Sequence, residues 1–252
     1  MDRTAYRMHY DLDRRHFWRI AKRRLVMKWL EARLPSKPLR LLDVGGACSV
    51  LTSELGRFGD VTLVEPDAEM VRMAKEELGL NALRGSLPDN IPVDGPFDAI
   101  TLLDVLEHLD DDARALVAVR ELLAPGGTLM VTVPACQWLW SSHDMSLHHR
   151  RRYSRRELRK VLEGAGFTVE RMTYWTSLLL PLVALQRLAG RILSRGRPAI
   201  YRVRVPGRAL NAALGAVMSI ERLALSLTNM PVGSSIIAVC RRPEESPAAT
   251  SP

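Results

Sequence analysis

Cysteine is scarce in this sequence, and its spacing suits neither a disulfide framework nor a zinc site. Cys48, Cys136 and Cys240 are the three cysteines in 252 residues, and no two of them form a C-x-x-C pair. An odd, scattered set of this kind favours a reducing compartment. The first thirty residues also lack the apolar run and cleavage site of a secretory signal. Together these absences predict a cytoplasmic protein.

Acidic residues are absent from a long stretch in the last third of the chain. Between Met172 and Ile220 there is no Asp or Glu, while seven arginines occur there: Arg187, Arg191, Arg195, Arg197, Arg202, Arg204 and Arg208. The apolar runs around them are shorter than the ~20 residues that span a bilayer. The pattern instead predicts two amphipathic helices with basic flanks. They suit a lid over an acceptor pocket, or a surface that lies on anionic membrane or grips a lipid-linked molecule, and both interpretations stay open.

The overall composition is that of a folded, basic protein. Hydrophobic residues make up 47% of the chain and the formal net charge is +8, with a sequence pI near 9.9. A chain of this length can bury a full core. The charge favours an acidic partner but does not predict a fold.

Short apolar runs alternate with helical patterns through the middle of the chain. The predicted strands are Leu39–Val44, Val61–Glu65, Ala82–Arg84, Phe97–Leu103, Thr128–Val133, Phe167–Trp175 and Ser235–Arg241. Strands that alternate with helices predict an α/β fold with a doubly wound, mostly parallel sheet. We therefore divide the chain into an N-terminal helical segment (1–36), an α/β domain (37–175 and 232–242), a helical insertion (176–231) and a disordered tail (243–252).

Two acids at the ends of neighbouring strands bracket a turn of small residues. Asp43 ends the first strand, Gly45, Gly46 and Ala47 follow it, and Glu65 ends the second strand. Small residues let a ligand approach the backbone at a helix start, and the second acid can hold both hydroxyls of a ribose. The G-x-G-x-x-G pattern of a pyrophosphate cradle is missing, so the turn does not predict a dinucleotide site.

Several segments in a fixed order resemble one enzyme family. They are Leu41–Ala47, Glu65–Asp67, Phe97–Ile100, Asp104–Leu109, Leu122–Gly127 and Leu162–Phe167. In this order they resemble the class I S-adenosylmethionine-dependent methyltransferases, especially the small-molecule group that includes ubiquinone-biosynthesis enzymes. The resemblance implies a seven-stranded, Rossmann-like methyltransferase fold. It also implies S-adenosyl-L-methionine as the cofactor and in-line methyl transfer to a small or lipid-linked acceptor.

The resemblance also assigns roles to residues of the cofactor site. Asp43 and Gly45, with Gly46 and Ala47, would lie beside the methionine part, and Glu65, followed by Pro66, would bind the ribose hydroxyls. Ser86 and Leu87 would flank the adenine. Leu103 and Asp104 would lie at the mouth where the methyl group meets its acceptor.

A segment rich in histidine follows the fifth strand, where ligands bind in such sheets. It contains His143, Asp144, His148, His149 and Tyr153. Their spacing fits no common zinc or iron site, so we expect no metal. A base that removes the acceptor's proton is more plausible. The resembled group has a similar loop, which implies that Asp144, His149 and Tyr153 belong to the active site, with His143 as a second candidate base; a catalytic and a structural role for the histidines both stay open.

Two other functions compete with this interpretation. The basic charge would suit a nucleic-acid methyltransferase, but the N-P-P-Y type of loop after the fourth strand is missing, so we expect no nucleic-acid partner. The replacement of the family's usual glycines by Ala47 and Ser49 would suit a non-catalytic, cofactor-binding membrane adaptor. The acceptor, the methylated atom and the oligomeric state are not predicted.

Overall fold

The structure is a computed structural model that describes residues 10–47, 49–194 and 204–244. Cys48, which the sequence predicts to be a buried apolar residue, lies outside these ranges. So do Arg195, Arg197, Arg202 and most of the predicted tail, and the side chain of Arg191 is likewise not described.

A seven-stranded sheet forms the centre of the molecule. Its strands are β1 (Leu39–Val44), β2 (Gly59–Glu65), β3 (Asn81–Arg84), β4 (Phe97–Leu103), β5 (Leu123–Pro134), β6 (Thr168–Trp175) and β7 (Ser235–Arg241). The spatial order is β3-β2-β1-β4-β5-β7-β6, with β7 antiparallel to both of its neighbours and the other pairs parallel. The predicted fold class is confirmed.

Helices cover both faces of the sheet. They are α1 (Phe17–Glu31), α2 (Val50–Leu55), α3 (Ala68–Leu78), α4 (Asp112–Leu122), α5 (Ser142–Ser146), α6 (Arg155–Gly164), α7 (Leu180–Ser194) and α8 (Arg208–Leu227). Residues 10–15 are also helical. Local sequence explains several ends. The side chain of Asp67 caps the start of α3, and Gly79 ends that helix with a left-handed φ of 63°. A capping box of Ser154 and Glu157 starts α6.

The strand order places the ligand-binding edge at the junction of β1 and β4. The chain leaves β1 on one side toward β2 and β3, and later returns to β4 on the other side. Such a reversal opens a crevice at the carboxyl ends of the strands. The loops that carry Gly45 and Asp104 begin at this edge.

The inserted segment is built into the fold through α8. The side-chain oxygen of Asn211 accepts a hydrogen bond from the Phe17 backbone at 3.0 Å, and its amide donates to the Arg15 carbonyl at 2.9 Å. Within the insertion, the buried carboxylate of Glu221 accepts hydrogen bonds from the backbone of Ser177 and Leu178 at 2.9–3.0 Å, which ties α8 to the residues that follow β6. The N-terminal helices and the insertion therefore form one layer above the crevice, which the sequence did not predict.

Candidate functional site

The turn between β1 and α2 packs so closely that two of its positions have no space for a side chain. Gly45 has a φ of +72°, and a Cβ on it would lie 2.7 Å from Val105. A Cβ on Gly46 would lie 2.2 Å from Oδ2 of Asp43. Thr52 and Thr101 each donate a hydroxyl hydrogen bond of 2.6 Å to Asp43, whose pKa burial raises. These contacts require glycine in the turn and fix the strand-end acid.

Glu65 lies at the end of β2 and supports the same turn. Its Oε2 accepts a hydrogen bond from the Ala47 backbone at 3.1 Å, and its Oε1 accepts one from the Asp67 backbone at 3.2 Å. Burial raises the pKa of this carboxyl. To bind a ribose, Glu65 would exchange the amide of Ala47 for the sugar hydroxyls.

A cavity of about 750 Å³ extends from this turn beneath α1, α7 and α8. Its lining includes the predicted residues Asp43, Gly45, Gly46, Ala47, Leu103, Asp104, His143 and His149. The predicted residues Glu65, Pro66, Ser86, Leu87, Asp144 and Tyr153 are not in its wall. Ser86 is exposed in a short turn, and Leu87 is buried in the core. The structure thus brings the methionine-side and acceptor-side residues together and leaves the adenine-side pair apart.

Asp104 is held at the cavity wall by contacts from two directions. Lys22 of α1 donates to its Oδ2 at 2.8 Å, and Thr132 of β5 donates to its Oδ1 at 2.9 Å. These bonds fix a residue whose φ of 59° is unusual for a non-glycine. Burial alone would raise the pKa of Asp104, but the Lys22 ammonium outweighs it and keeps that pKa below its usual value.

Asp144 is the centre of a buried charged cluster behind the cavity. Arg152 contacts its Oδ1 through two nitrogens at 2.8 Å, and Nδ1 of His149 lies 3.0 Å from the same oxygen. The Ser141 backbone donates to Oδ2 at 3.0 Å, and Arg187 of α7 lies 3.4 Å from it. Burial opposes ionisation, but His149 and the guanidinium groups outweigh it, so the pKa of Asp144 lies well below its usual range.

The two ring nitrogens of His149 have different surroundings: Nδ1 is hydrogen-bonded to Asp144, whereas Nε2 lies near Glu107. A carboxylate can only accept, so Nδ1 of His149 carries the proton toward Asp144. Its Nε2 lies 4.0 Å from Oε1 of Glu107, and the rings of His108 and His149 meet edge to face at 4.9 Å. His149 lines the cavity, and with the proton on Nδ1 its Nε2 carries the lone pair.

Glu107 is a fully buried carboxyl in the cavity wall, and neither of its oxygens has a hydrogen-bond partner among the described residues. Burial, and next the nearby Asp104, raise its pKa well above the ordinary value. Glu107, His108 and His149 bring one ligand atom each within 4.8 Å of one another. Metal ligands must be deprotonated, and burial opposes this for Glu107. We therefore interpret Glu107, His108 and His149 as groups that hold or move protons.

The other two predicted acid–base residues differ in their surroundings. His143 lines the cavity, and burial, followed by the charge of Arg187, lowers its pKa to about 3, so the ring is neutral at pH 7. The Tyr153 hydroxyl donates to Asp112 at 2.6 Å inside the core, and burial raises its pKa above the ordinary value. Tyr153 thus joins α4 to the end of β5, and this geometry gives it a structural role in place of the predicted catalytic one.

Sequence reasoning missed several residues of the site. Lys22 and Arg187 come from the N-terminal helix and the insertion, so only the tertiary structure brings them to the crevice. Nothing in the sequence shows that the carboxyl of Glu107 lacks a partner. Arg152 belongs to the arginine run that follows His149, and only the structure shows that its side chain is buried against Asp144.

Comparison with known sequences gives a family and a set of relatives. Residues 10–171 match the family model described as a methyltransferase domain. A ubiquinone biosynthesis O-methyltransferase from Xanthomonas campestris pv. campestris is 31% identical over 139 residues, covering 43% of this chain and 56% of the relative. A protein of the same name from Xylella fastidiosa is 30% identical over 117 residues, covering 42% and 46%. The chain spans about half the length of the curated relatives it matches.

Solved structures share the fold at low sequence identity. Phosphoethanolamine N-methyltransferase 2 from Haemonchus contortus, in complex with S-adenosyl-L-methionine, has a TM-score of 0.57 and 13% identity, covering 87% of this chain and 52% of that one. The cyclase SpnF also has a TM-score of 0.57, with 21% identity, covering 90% and 83%. These likenesses show the fold, and the cyclase shows that the fold alone does not decide the reaction.

Proposed function

The chain belongs to the family of methyltransferase domains, and on that premise we propose that it transfers a methyl group from S-adenosyl-L-methionine to a small, apolar or lipid-linked acceptor. One observation carries the proposal. A single cavity joins the glycine turn of β1, the candidate base His149 and an apolar mouth between α7 and α8. Such a cavity can hold a methyl donor and an acceptor side by side.

The turn fits the cofactor because it offers backbone where side chains would block approach. Gly45 and Gly46 line the cavity with backbone, because a Cβ on either would collide with Val105 or Asp43, and Asp43 and Asp104 lie in the same wall. Glu65 is placed behind the turn, where it can take ribose hydroxyls. When bound, S-adenosyl-L-methionine supplies an activated methyl group on a sulfonium centre. The chain's own contribution is to align the two reactants and to exclude water between them.

Proton removal from the acceptor falls to His149 in this proposal. Asp144 accepts a hydrogen bond from the protonated Nδ1, so Nε2 is the basic nitrogen of the ring. As the acceptor oxygen or nitrogen gains the methyl group, its proton passes to Nε2. The negative charge of Asp144 stabilises the imidazolium that forms.

The mouth of the cavity and the outer faces of α7 and α8 are apolar, which supports an apolar acceptor. Leu182 and Leu210 line the cavity and are each more than half exposed. The outer surface continues with Leu178 just before α7, with Leu185 and Leu188 on α7, and with Ile220, Leu223 and Leu227 on α8. Exposed apolar area of this extent is typical of a surface with a partner. We propose that it lies on the inner face of a membrane, from which the acceptor enters.

In the part of the chain that the structure describes, α8 is the one helix long and apolar enough to cross a membrane. The sequence interpretation expected stretches too short to span. One side of α8, however, packs on α1 through Asn211 and contributes Met218 and Leu225 to the core. A helix bound to the protein along one side is better suited to lie on the bilayer surface.

The basic run after the fifth strand gives little support to nucleic-acid binding. Arg150 pairs with Asp110, Arg151 with Asp112, and Arg159 with Glu163. Charges already paired within the protein contribute less to a phosphate-binding surface.

Cofactor binding is tested by calorimetry with S-adenosyl-L-methionine on wild type, Gly46→Ala and Gly164→Ala. The added methyl group at position 46 collides with Asp43, whereas at position 164 it meets nothing within 4 Å. We expect about tenfold or greater loss of affinity for the first variant, because relief of the collision displaces the turn that borders the cavity, and wild-type affinity for the control; tenfold corresponds to about 1.4 kcal/mol of binding free energy. Equal affinity in all three proteins would contradict the proposed site.

The membrane surface is tested by flotation with vesicles of anionic and of neutral lipids. Replacing Leu223 and Leu227 with Glu should release the protein from anionic vesicles. The matched control is Val117→Glu, an exposed apolar position on α4. Arg187 is unsuitable for this test because it points into the site, contrary to the expectation that it flanks the membrane surface. If wild type ignores anionic vesicles at low salt, a small soluble acceptor is the better proposal.

A further inference from the structure

One arginine of the helical insertion reaches into the centre of the site. Arg187 belongs to α7, the helix that covers one end of the cavity and whose residues Leu182 and Val183 also line it. Its Nη1 donates to the Ser141 hydroxyl at 2.7 Å and lies 3.4 Å from Oδ2 of Asp144. Its side chain is 16% exposed. The contact thus joins the covering helix to the loop that carries the candidate base.

The two oxygens of Asp144 are held by different parts of the molecule. Oδ1 contacts Arg152 and His149, which belong to the same loop region as Asp144. Oδ2 contacts the Ser141 backbone and, from α7, Arg187. If α7 moved away, Oδ2 would lose its guanidinium partner, and the carboxylate that holds His149 through Oδ1 would be less firmly fixed in its orientation.

We propose that Arg187 is a positioning residue, through which α7 fixes the Asp144 carboxylate and so holds His149 in the tautomer that presents Nε2 to the acceptor. The inference rests on the proposed role of His149 as the base. It adds that the base is fully aligned only when α7 covers the cavity. Covering the acceptor and aligning the base would then be one event.

The charged groups around His149 are consistent with this role of Arg187. They are Asp144, Arg152, His143 and His148 from the loop after β5, Asp104, Glu107 and His108 from the end of β4, Lys22 from α1, and Arg187 from α7. Lys22 pairs with Asp104, and burial raises the pKa of Glu107 well above its ordinary value. Arg187 therefore adds a second positive charge against the single negative charge of Asp144. That charge disfavours protonation of the nearby rings, and it contributes to the low pKa of His143.

The test is nitrogen NMR of histidine-labelled protein, which distinguishes imidazole tautomers and follows their protonation. Wild type should show His149 in one tautomer, with the proton on Nδ1. Arg187→Gln should give a mixture of tautomers and should raise the pKa of His143 by about one unit, the usual effect of a nearby charge. Arg187→Lys should restore most of the wild-type spectrum. The matched control is Arg222→Gln, which removes the same charge from α8.

Ser141→Ala provides a second variant in case Arg187→Gln does not fold. It removes the 2.7 Å acceptor of Arg187 but leaves Asp144 in place, so it should shift His149 in the same direction to a smaller extent. An unchanged tautomer in folded Arg187→Gln or Ser141→Ala protein, or an equal change in Arg222→Gln, would overturn the inference. The spectra need neither cofactor nor acceptor, so this result is separate from the calorimetric test of the proposed function.

Discussion

Replacing Asp144 with Asn should destabilise the protein strongly although the side chain keeps its shape. Asp144 is fully buried, and the Arg152 side chain that pairs with it is only 3% exposed. Removing one partner of a buried ion pair costs about 3–5 kcal/mol, because the other charge stays buried. Arg152 also donates to the Ala135 carbonyl at 2.8 Å and would keep that bond. We therefore expect the lower end, a loss of about 3 kcal/mol in the free energy of unfolding.

The measurement is denaturant unfolding at pH 7 and at lower pH, with Asp110→Asn as the control. Asp110 pairs with Arg150 at the surface, where such pairs contribute less than about 1 kcal/mol. The folded-state pKa of Asp144 is depressed, so its contribution is present above the unfolded value near 4 and is lost as the pH falls toward the folded value. The difference between wild type and Asp144→Asn should shrink by about 1 kcal/mol between pH 5 and pH 3. A variant as stable as the control, or a difference independent of pH, would refute this reasoning.

Three further outcomes follow from single contacts. Glu65→Ala should weaken S-adenosyl-L-methionine binding by about 1.5–3 kcal/mol, through loss of hydrogen bonds to a charged group, and an unchanged calorimetric Kd would remove Glu65 from the site. The pKa of His143 is lowered to about 3, so its neutral form stabilises the fold above pH 6.5 and this contribution is lost as the pH falls. His143→Gln should therefore flatten the decline of the unfolding free energy between pH 6 and pH 4 by up to about 1.4 kcal/mol per pH unit. A slope identical to that of wild type would contradict the low pKa of His143. Glu221→Gln should weaken the hydrogen bonds from Ser177 and Leu178 and speed their amide exchange by about tenfold or more relative to the β1 amides, whereas equal protection would show that Glu221 does not hold this segment against α8.

The sheet was predictable because its signals are local. Apolar runs such as Phe97–Leu103 and Ser235–Arg241 coincide with β4 and β7, and capping residues such as Ser154 mark helix starts within a few residues. The small-residue turn after Asp43 was equally visible, since a tight turn between strand and helix needs glycine in any context. These features depend on neighbours in the sequence and on side-chain period.

The acceptor side was predictable only in outline. The sequence shows His149 and Asp144 five residues apart, but their pairing depends on the one-turn helix α5 and the bend after it. Lys22 reaches Asp104 across 82 positions of sequence, and no local pattern encodes that contact. The unpartnered carboxyl of Glu107 is visible only once its surroundings are known. Long-range contacts of this kind separate a family resemblance from a description of the site.

The joint between Asn211 and Phe17 has a consequence for how the molecule reaches its native state. The two residues are 194 positions apart, so their contact closes a very long loop. Contacts of such high sequence separation form slowly and late, because much chain entropy must be lost before they form. During synthesis, the strands that carry the glycine turn can pair while α8 has not yet left the ribosome. We expect nascent chains that end before α8 to hold a partly formed sheet with an uncovered apolar surface, which chaperones would bind until the last helix arrives.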